Sequence, residues 1–148
     1  MKSKISLSIL LFIIIISTYA QSNDDVVGYW LTEDKRGQIQ IYKKDNKYYG
    51  KIVWVSENKD KTDINNPNPV LRNRKIIGLE ILKDFKFNSE KNTWEEGTVY
   101  DPETGNTYSC YMWFEGNDKN KLYLKGYILG MKVLGKKTTW TREKNKRE

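Results

Sequence analysis

Short runs in which apolar and polar residues alternate, separated by polar turns, fill the chain after its first twenty residues. These runs are rich in β-branched and aromatic residues, and their period of two is typical of half-buried β-strands. We predict about eight strands on this pattern, in the segments 26–32, 38–44, 48–55, 76–87, 93–100, 107–114, 121–128 and 136–143. The start of the fourth segment, IIGLEIL, is also compatible with a short helix.

Mostly short links join these strands, as in an antiparallel meander that closes into a barrel or folds as a two-sheet sandwich. We expect an all-β fold with the meander closed as a barrel. Alternation along the sixth strand places four side chains on its inner face, namely Tyr108, Cys110, Met112 and Phe114. Three tryptophans are expected in the core: Trp30, Trp54 and Trp140. Tyr111 and Trp113 should point outward.

The stretch YDPETGNTYS, residues 100–109, joins the fifth and sixth strands and contains a carboxylate, a proline and a glycine. Proline at the second turn position with glycine further on is the chemistry of a type I turn extended by a residue of positive φ. Asp101 can cap this turn with its own side chain. A calcium loop would need a different spacing of acidic residues and a terminal Glu. We therefore predict a hairpin bend.

Residues 56–74 lack strand periodicity and contain two of the three prolines. Loops of this length in a compact domain are usually functional or disordered. Arg72 and Arg74 are two positions apart, so in an extended segment both point the same way and can clamp a carboxylate or phosphate. Alternatively, they pair with the protein's own acids, such as Asp101 or Glu80. The ligand-binding residues that we predict are Arg72, Arg74, Tyr100, Asp101 and Tyr108.

The chain begins with a basic stretch, MKSK, followed by an apolar run without charged residues from Ile5 to Ala20. This order is typical of a secretory signal peptide. We expect cleavage after Ala20, which divides the chain into a signal peptide, residues 1–20, and a single β-barrel domain, residues 21–148. An uncleaved membrane anchor is the alternative. Cleavage would leave no transmembrane segment and an exported protein, in the periplasm or outside the cell.

Composition excludes several kinds of site. The chain has no histidine and one cysteine, which rules out Ser-His and Cys-His nucleophile pairs, zinc sites and an intramolecular disulfide. We expect no metal and no cofactor, and we favour a protein that is not an enzyme. The 26 basic and 19 acidic residues are interleaved, so we expect no nucleic-acid partner. The C-terminal run REKNKRE is expected to be a frayed tail.

A set of motifs runs in order along the chain: GYW at residues 28–30, GKIVWV at 50–55, NPNPVLRNR at 66–74, IIGLEIL at 76–82, WxxGxxYDPxxGxxY at 94–108, GY at 126–127, LG at 134–135 and WTR at 140–142. Together they resemble the bacterial family catalogued as domain of unknown function 2147, whose members are small exported proteins. The resemblance covers nearly the whole chain after the signal peptide. The family name implies no function.

A second resemblance is to the lipocalins and their calycin relatives, in which a Gly-x-Trp on the first strand packs near an arginine late in the last strand. Gly28, Trp30 and Arg142 occupy these places. The resemblance implies a barrel closed at one end by an arginine stacked on the tryptophan, a cation–π contact worth about 1 kcal/mol. The residues assigned to this closure are Gly28, Trp30, Trp140 and Arg142. The chain departs from lipocalins in lacking their disulfides and in carrying the proline-rich segment.

Three functions fit these features. The first, which we favour, is an exported non-catalytic barrel that binds a small amphipathic or anionic ligand at a mouth covered by residues 56–74. The second is an envelope interaction or structural module, which requires Tyr111, Trp113 and Tyr127 to form one outward patch. The third is an enzyme that uses a carboxylate beside the arginines of residues 56–74 for acid–base chemistry. The expected partner is accordingly a small-molecule ligand or a component of the cell envelope.

Overall fold

The structure of the protein, a computed structural model, describes residues 22–128, 130–131 and 135–148. The predicted signal peptide and Leu134 of the LG motif lie outside the described residues. Eight strands occur within the described part: β1 (Gly28–Leu31), β2 (Gly37–Lys44), β3 (Lys47–Val55), β4 (Glu80–Asn88), β5 (Thr93–Asp101), β6 (Asn106–Trp113), β7 (Lys121–Tyr127) and β8 (Lys136–Glu143). A short 3-10 helix, Pro69–Leu71, lies between β3 and β4.

The strands form one closed antiparallel barrel. Each strand pairs with the next along the chain, and β8 pairs with β1 with Trp30 opposite Arg142. The predicted barrel is therefore confirmed, and the sandwich is not the arrangement adopted. Closure leaves the sheet without an unpaired edge, which removes the usual route to edge-to-edge aggregation.

The fourth predicted strand begins later than the composition indicated. Ile76 to Leu79 are neither strand nor helix, because Gly78 adopts a φ of 91° and its N–H donates to the Ile52 carbonyl at 2.7 Å. Ile76 and Leu79 are nevertheless buried in the core. The composition of residues 76–79 resembled that of a strand because this turn carries inward-facing apolar side chains.

The inner face of the sixth strand is as predicted, with Cys110, Met112 and Phe114 buried. Trp30 and Trp140 also lie in the core. The prediction for Trp54 was wrong: this side chain is half-buried beneath the Arg147 guanidinium, which is 4.9 Å from its ring. The reason is a β-bulge, since successive residues of β2 pair with Trp54 and Ile52 and leave an extra residue in β3 that reverses the alternation.

The C-terminal tail does not fray, contrary to the prediction. It folds back over Gln38, which is fully buried although it is polar. The Gln38 amide donates to the Glu143 carboxylate at 2.6 Å and to the Asn145 carbonyl at 2.9 Å, and its oxygen accepts from the Arg147 N–H at 2.9 Å. This buried amide anchors the tail because each of its polar atoms has a partner there.

The two ends of the barrel differ. The connections 32–36, 56–79 and 102–105 lie at one end, together with the described residues 128, 130, 131 and 135 between β7 and β8, and we call this the open end. At the other, the closed end, residues 22–27 lie across the barrel: Tyr48 donates to the Asp24 carboxylate at 2.8 Å and Trp94 donates to the Asn23 carbonyl at 3.0 Å. Val26, within this segment, is completely buried.

Candidate functional site

The barrel contains a cavity of about 960 Å³ that opens at the open end. Its volume lies within the range of small-molecule sites, about 300–1,000 Å³. Most of its wall is apolar, with side chains from several strands and from the long connection: Ile39, Ile52, Val55, Ile76, Ile81, Val99, Cys110, Leu124 and Trp140. Tyr108 and Thr138 are the polar side chains between them. Such a wall can bind an apolar group and exclude water from it.

Charged residues of both signs surround the mouth of the cavity: Glu33, Asp34, Arg36, Glu57, Lys61, Asp101, Glu103 and Lys136. Arg36 joins two of the connections, because its guanidinium lies 2.8 Å from the Asp34 carboxylate and 3.0 Å from that of Glu103. These side chains are at least half exposed. Such exposed ion pairs contribute little to stability, so they do little to hold the two connections together.

At the closed end, the Arg142 guanidinium lies over the Trp30 ring, 4.2 Å from its centroid. Its Nε donates to the Lys119 carbonyl at 2.9 Å, its Nη1 to the Val27 carbonyl at 3.0 Å and its Nη2 to the Asp25 carbonyl. Burial lowers the pKa of Arg142, yet an arginine remains protonated in proteins. The side chain thus ties the connection that contains Lys119 and the segment of residues 22–27 to β8 across this end.

Gly28 makes this closure sterically feasible. Its φ is 140°, and a Cβ atom there would lie 2.9 Å from Arg142 Nη1. Any larger residue would be strained and would push against the guanidinium. The fourth residue assigned to the closure, Trp140, lies in the cavity wall instead of under the arginine.

Aromatic packing fills the half of the barrel next to the closed end. The Trp94 ring meets the Phe114 ring edge-on at 5.4 Å, and Phe114 lies 6.0 Å from the Trp30 ring. Tyr48 and Phe85 complete this layer, and both are buried. These rings therefore fill the barrel on the closed-end side, while the cavity opens at the open end.

Two of the predicted ligand-binding residues form an internal network around Asp63, which has no exposed surface. Arg74 donates to its carboxylate through Nε at 3.0 Å, and Tyr100 donates through its hydroxyl at 2.6 Å. Asn66 donates to the same carboxylate at 2.8 Å. Burial, and then the bond to Asp63, raise the pKa of Tyr100. These contacts hold residues 56–79 against β5.

The other predicted ligand-binding residues are placed differently. Arg72 is exposed, and its Nε donates to the Asn66 carbonyl at 2.8 Å. Asp101 caps its turn, accepting from the Glu103 N–H and the Thr104 hydroxyl, both at 2.9 Å. Its carboxylate also lies at the mouth of the cavity, and Tyr108 lies in the cavity wall. The predicted set is thus divided: Asp101 and Tyr108 lie at the cavity, Arg72 lies in the long connection, and Arg74 and Tyr100 belong to the network around Asp63.

Sequence reasoning missed Asp63. We considered pairing of the arginines with Asp101 or Glu80, but Arg74 pairs with Asp63, and Glu80 accepts a hydrogen bond from Tyr42. Asp63 stands in a stretch of charged and amide residues without periodicity. Nothing in such a stretch distinguishes a buried carboxylate from an exposed one.

Tyr111, Trp113 and Tyr127 form one cluster on the outer face of β6 and β7. The Tyr111 ring stacks on Trp113 at 5.1 Å and lies 6.1 Å from Tyr127, and Trp113 stacks on Tyr123 at 5.6 Å. The Lys137 amine lies 4.3 Å from the Tyr123 ring centroid. The ring faces therefore contact one another and a lysine, which is the cross-strand packing that stabilises a sheet.

Cys110 faces the cavity and is buried, and burial raises the pKa of its thiol to about 12. A thiol of this kind is almost entirely protonated and weakly nucleophilic at neutral pH. Among the described residues, no group of three acidic or cysteine side chains is arranged to hold a metal ion. None of the helices in the described part is long and apolar enough to cross a membrane.

Comparisons with known proteins agree with both resemblances seen in the motifs. A family model described as "Uncharacterized protein conserved in bacteria (DUF2147)" matches residues 28–142. No curated protein matches the chain. Among solved structures, the chain is similar to protein HP1028 from the human pathogen Helicobacter pylori, described as belonging to the lipocalin family. The two are 25% identical, the match covers 81% of this chain and 84% of that chain, and the TM-score is 0.72.

Proposed function

The chain belongs to the family of uncharacterized bacterial proteins named domain of unknown function 2147, and we propose that this member is an exported, non-catalytic protein that binds a small amphipathic ligand in its barrel. The observation that carries the proposal is the largely apolar cavity of about 960 Å³, which opens at the open end of the barrel. The similarity to a lipocalin-family structure supports the same proposal.

The wall determines the chemistry of the ligand. Aliphatic side chains dominate the interior, so the ligand must bury a large apolar part to gain free energy from the transfer out of water. The charged residues lie at the mouth, where a polar end of the ligand remains near water. The ligand is therefore amphipathic, with its apolar part inside and its polar end at the mouth.

The engagement of the carboxylates supports binding rather than catalysis. Asp101 accepts two hydrogen bonds within its own turn, and Asp63 is buried among three donors. A general acid or base must be within hydrogen-bond reach of a substrate proton. These two carboxylates are instead committed to holding the connections of the open end.

Gly126 provides a direct test of the cavity. It lies in the cavity wall, and a Cβ atom there would meet Tyr108, Val99 and Ser109 at ordinary contact distances of 3.6 to 3.9 Å. Gly126→Phe is expected to fill the cavity without straining the backbone, and Gly126→Ala is the matched control. We would purify the three proteins from their native producer and compare intact masses after native and denaturing ionisation.

We expect an extra mass, lost on denaturation, in the wild type and Gly126→Ala but not in Gly126→Phe. Hexadecanoic acid and hexadecanol, added to delipidated protein, should raise the melting temperature of the first two proteins only, because a ligand that binds the folded state stabilises it. The proposal would be contradicted if all three proteins showed only the mass of the chain and if neither compound changed their melting temperatures.

A further inference from the structure

Four large aliphatic side chains are exposed around the open end. Val70 and Ile64 in the long connection are 84% and 59% exposed, and Ile128 and Met131 in the β7–β8 connection are 54% and 44% exposed. Val27, at the closed end, is 37% exposed. Single exposed aliphatic residues are ordinary on protein surfaces. All four lie in connections of the open end, and we call this set of exposed side chains the apolar rim.

The exposed aliphatic side chains of the long connection stand on backbone that hydrogen bonds hold in place. Ile64 follows the buried Asp63, which accepts hydrogen bonds from three side chains. Val70 lies in the 3-10 helix Pro69–Leu71, whose first turn is capped by the Asn68 side chain through a 3.1 Å bond from the Val70 N–H. The Asp63 network next to Ile64 and the Asn68 cap at Val70 thus fix the backbone that carries these two exposed side chains.

The second pair is held in a similar way. The Met131 N–H donates to the Ile128 carbonyl at 3.0 Å, which holds the two residues next to each other. Ile128 also lies at the mouth of the cavity. The apolar rim is thus continuous with the cavity entrance and is carried by two separate connections of the open end.

Basic residues accompany the apolar rim. Residues 56–79 contain five basic side chains, Lys59, Lys61, Arg72, Arg74 and Lys75, and three acidic ones, Glu57, Asp60 and Asp63. Asp63 is buried against Arg74, whereas Arg72 is exposed two residues after Val70. The surface that presents Val70 therefore combines aliphatic and cationic groups.

We propose that the open end docks on a lipid bilayer that carries anionic headgroups. Side chains of the apolar rim would enter the boundary between headgroups and acyl chains, and Arg72 with the neighbouring lysines would contact phosphates. A bilayer fits better than a protein partner, because the aliphatic side chains stand on separate connections around an opening and form no single groove. The attraction to the headgroups would come from residues 56–79, since the mouth of the cavity itself carries five acidic and three basic side chains. This inference goes beyond the proposed function and stands without it.

The test measures partitioning onto vesicles by flotation. The chain from Gln21 onward is used, since residues 22–148 contain every strand of the closed barrel and its buried core, while the apolar run before it would bind vesicles by itself. Vesicles of phosphatidylglycerol and phosphatidylethanolamine are compared with vesicles of phosphatidylcholine. The variants are Ile64→Asp/Val70→Asp and, as the matched control at the opposite end, Val27→Asp.

The wild type and Val27→Asp are expected to bind the anionic vesicles. The double variant should bind them at least about tenfold more weakly, since it loses two aliphatic side chains that would enter the bilayer. Arg72→Gln should weaken binding to anionic vesicles and leave binding to phosphatidylcholine unchanged. Unchanged circular dichroism would show that the variants are folded, as expected for exposed sites.

Three results would overturn the inference: no binding of the wild type to anionic vesicles, equal weakening by Val27→Asp, or no effect of the double variant. The first would leave a protein partner as the occupant of the apolar rim. Gly126→Phe separates this inference from the proposed function. This variant should lose the cavity ligand and still bind vesicles, so each proposal can fail without the other.

Discussion

Asp63 illustrates how one buried side chain organises the open end. Its carboxylate has no exposed surface and accepts from Arg74, Tyr100 and Asn66. A buried charge is tolerated only when it is paired and hydrogen-bonded. The network therefore holds the long connection against β5, and this fixed position keeps Val70 exposed next to the cavity.

Asp63→Asn should lower the free energy of unfolding by about 2–3 kcal/mol, because the uncharged side chain would no longer pair with the Arg74 guanidinium and would replace one accepting oxygen with an N–H₂ donor. This loss is at the low end of what is expected when a buried ion pair is broken, because the Arg74 side chain is 38% exposed. Urea unfolding measures it. Asp60→Asn is the matched control, because Asp60 makes an exposed pair with Lys75 in the same connection. Equal stabilities of the two variants would show that the network is not structural.

The connections of the open end hold one another as well as the strands. The bend of residues 101–105 supports the long connection, since the Asn65 side chain donates to the Glu103 carbonyl at 2.8 Å. Gly105 lies directly against this connection: a Cβ atom there would lie 2.0 Å from the Asn65 carbonyl oxygen. The motif YDPETGN is therefore a hairpin bend whose glycine makes room for a neighbouring segment of backbone.

Gly105→Ala separates this contact from the cost of the backbone conformation. Both Gly105 and Gly116 have positive φ, 75° and 57°, but nothing lies within 4 Å of a Cβ atom at Gly116. Gly116→Ala should cost about 1 kcal/mol in the free energy of unfolding, and Gly105→Ala at least about 2 kcal/mol. Limited proteolysis should cut residues 56–74 faster in Gly105→Ala only. Similar losses and cleavage patterns in the two variants would contradict the role assigned to this contact.

The whole molecule is a barrel with a filled half and a hollow half. Trp30, Trp94 and Phe114 fill the closed end, whereas the open end contains the cavity. This asymmetry favours a carrier with a single entrance. A carrier of amphipathic molecules at a membrane surface also fits the export that we propose.

Export can be tested on the intact protein. In the native producer, the mass of the mature protein should correspond to a chain that begins at Gln21, and Ala20→Phe should retain the segment of residues 1–20, because signal peptidase requires a small residue before the cleavage site. Intact mass spectrometry of envelope and culture fractions measures both. Recovery of the uncleaved wild-type chain from the cytoplasm would contradict the proposal.

The number of strands, the barrel and most strand boundaries could be predicted from the sequence because alternation with a period of two is a local property. β8, residues 136–143, was predicted with the boundaries that the structure has. Errors arose where local alternation was interrupted. The bulge in β3 turned Trp54 outward, and the turn before β4 looked like a strand. The inward orientation of Cys110 followed the uninterrupted alternation of β6.

The candidate site could be predicted only in part. Asp101 and Tyr108 were expected to bind a ligand and lie at the cavity, but Arg74 and Tyr100 belong to the network around Asp63. The sequence by itself determined the all-β fold, the family and the Gly28, Trp30 and Arg142 set, since these depend on residue types in a fixed order. Only the tertiary structure decided which half of the barrel is hollow, which carboxylate is buried and which aliphatic side chains remain in water. These properties depend on contacts between residues far apart in the chain, and no local pattern records them.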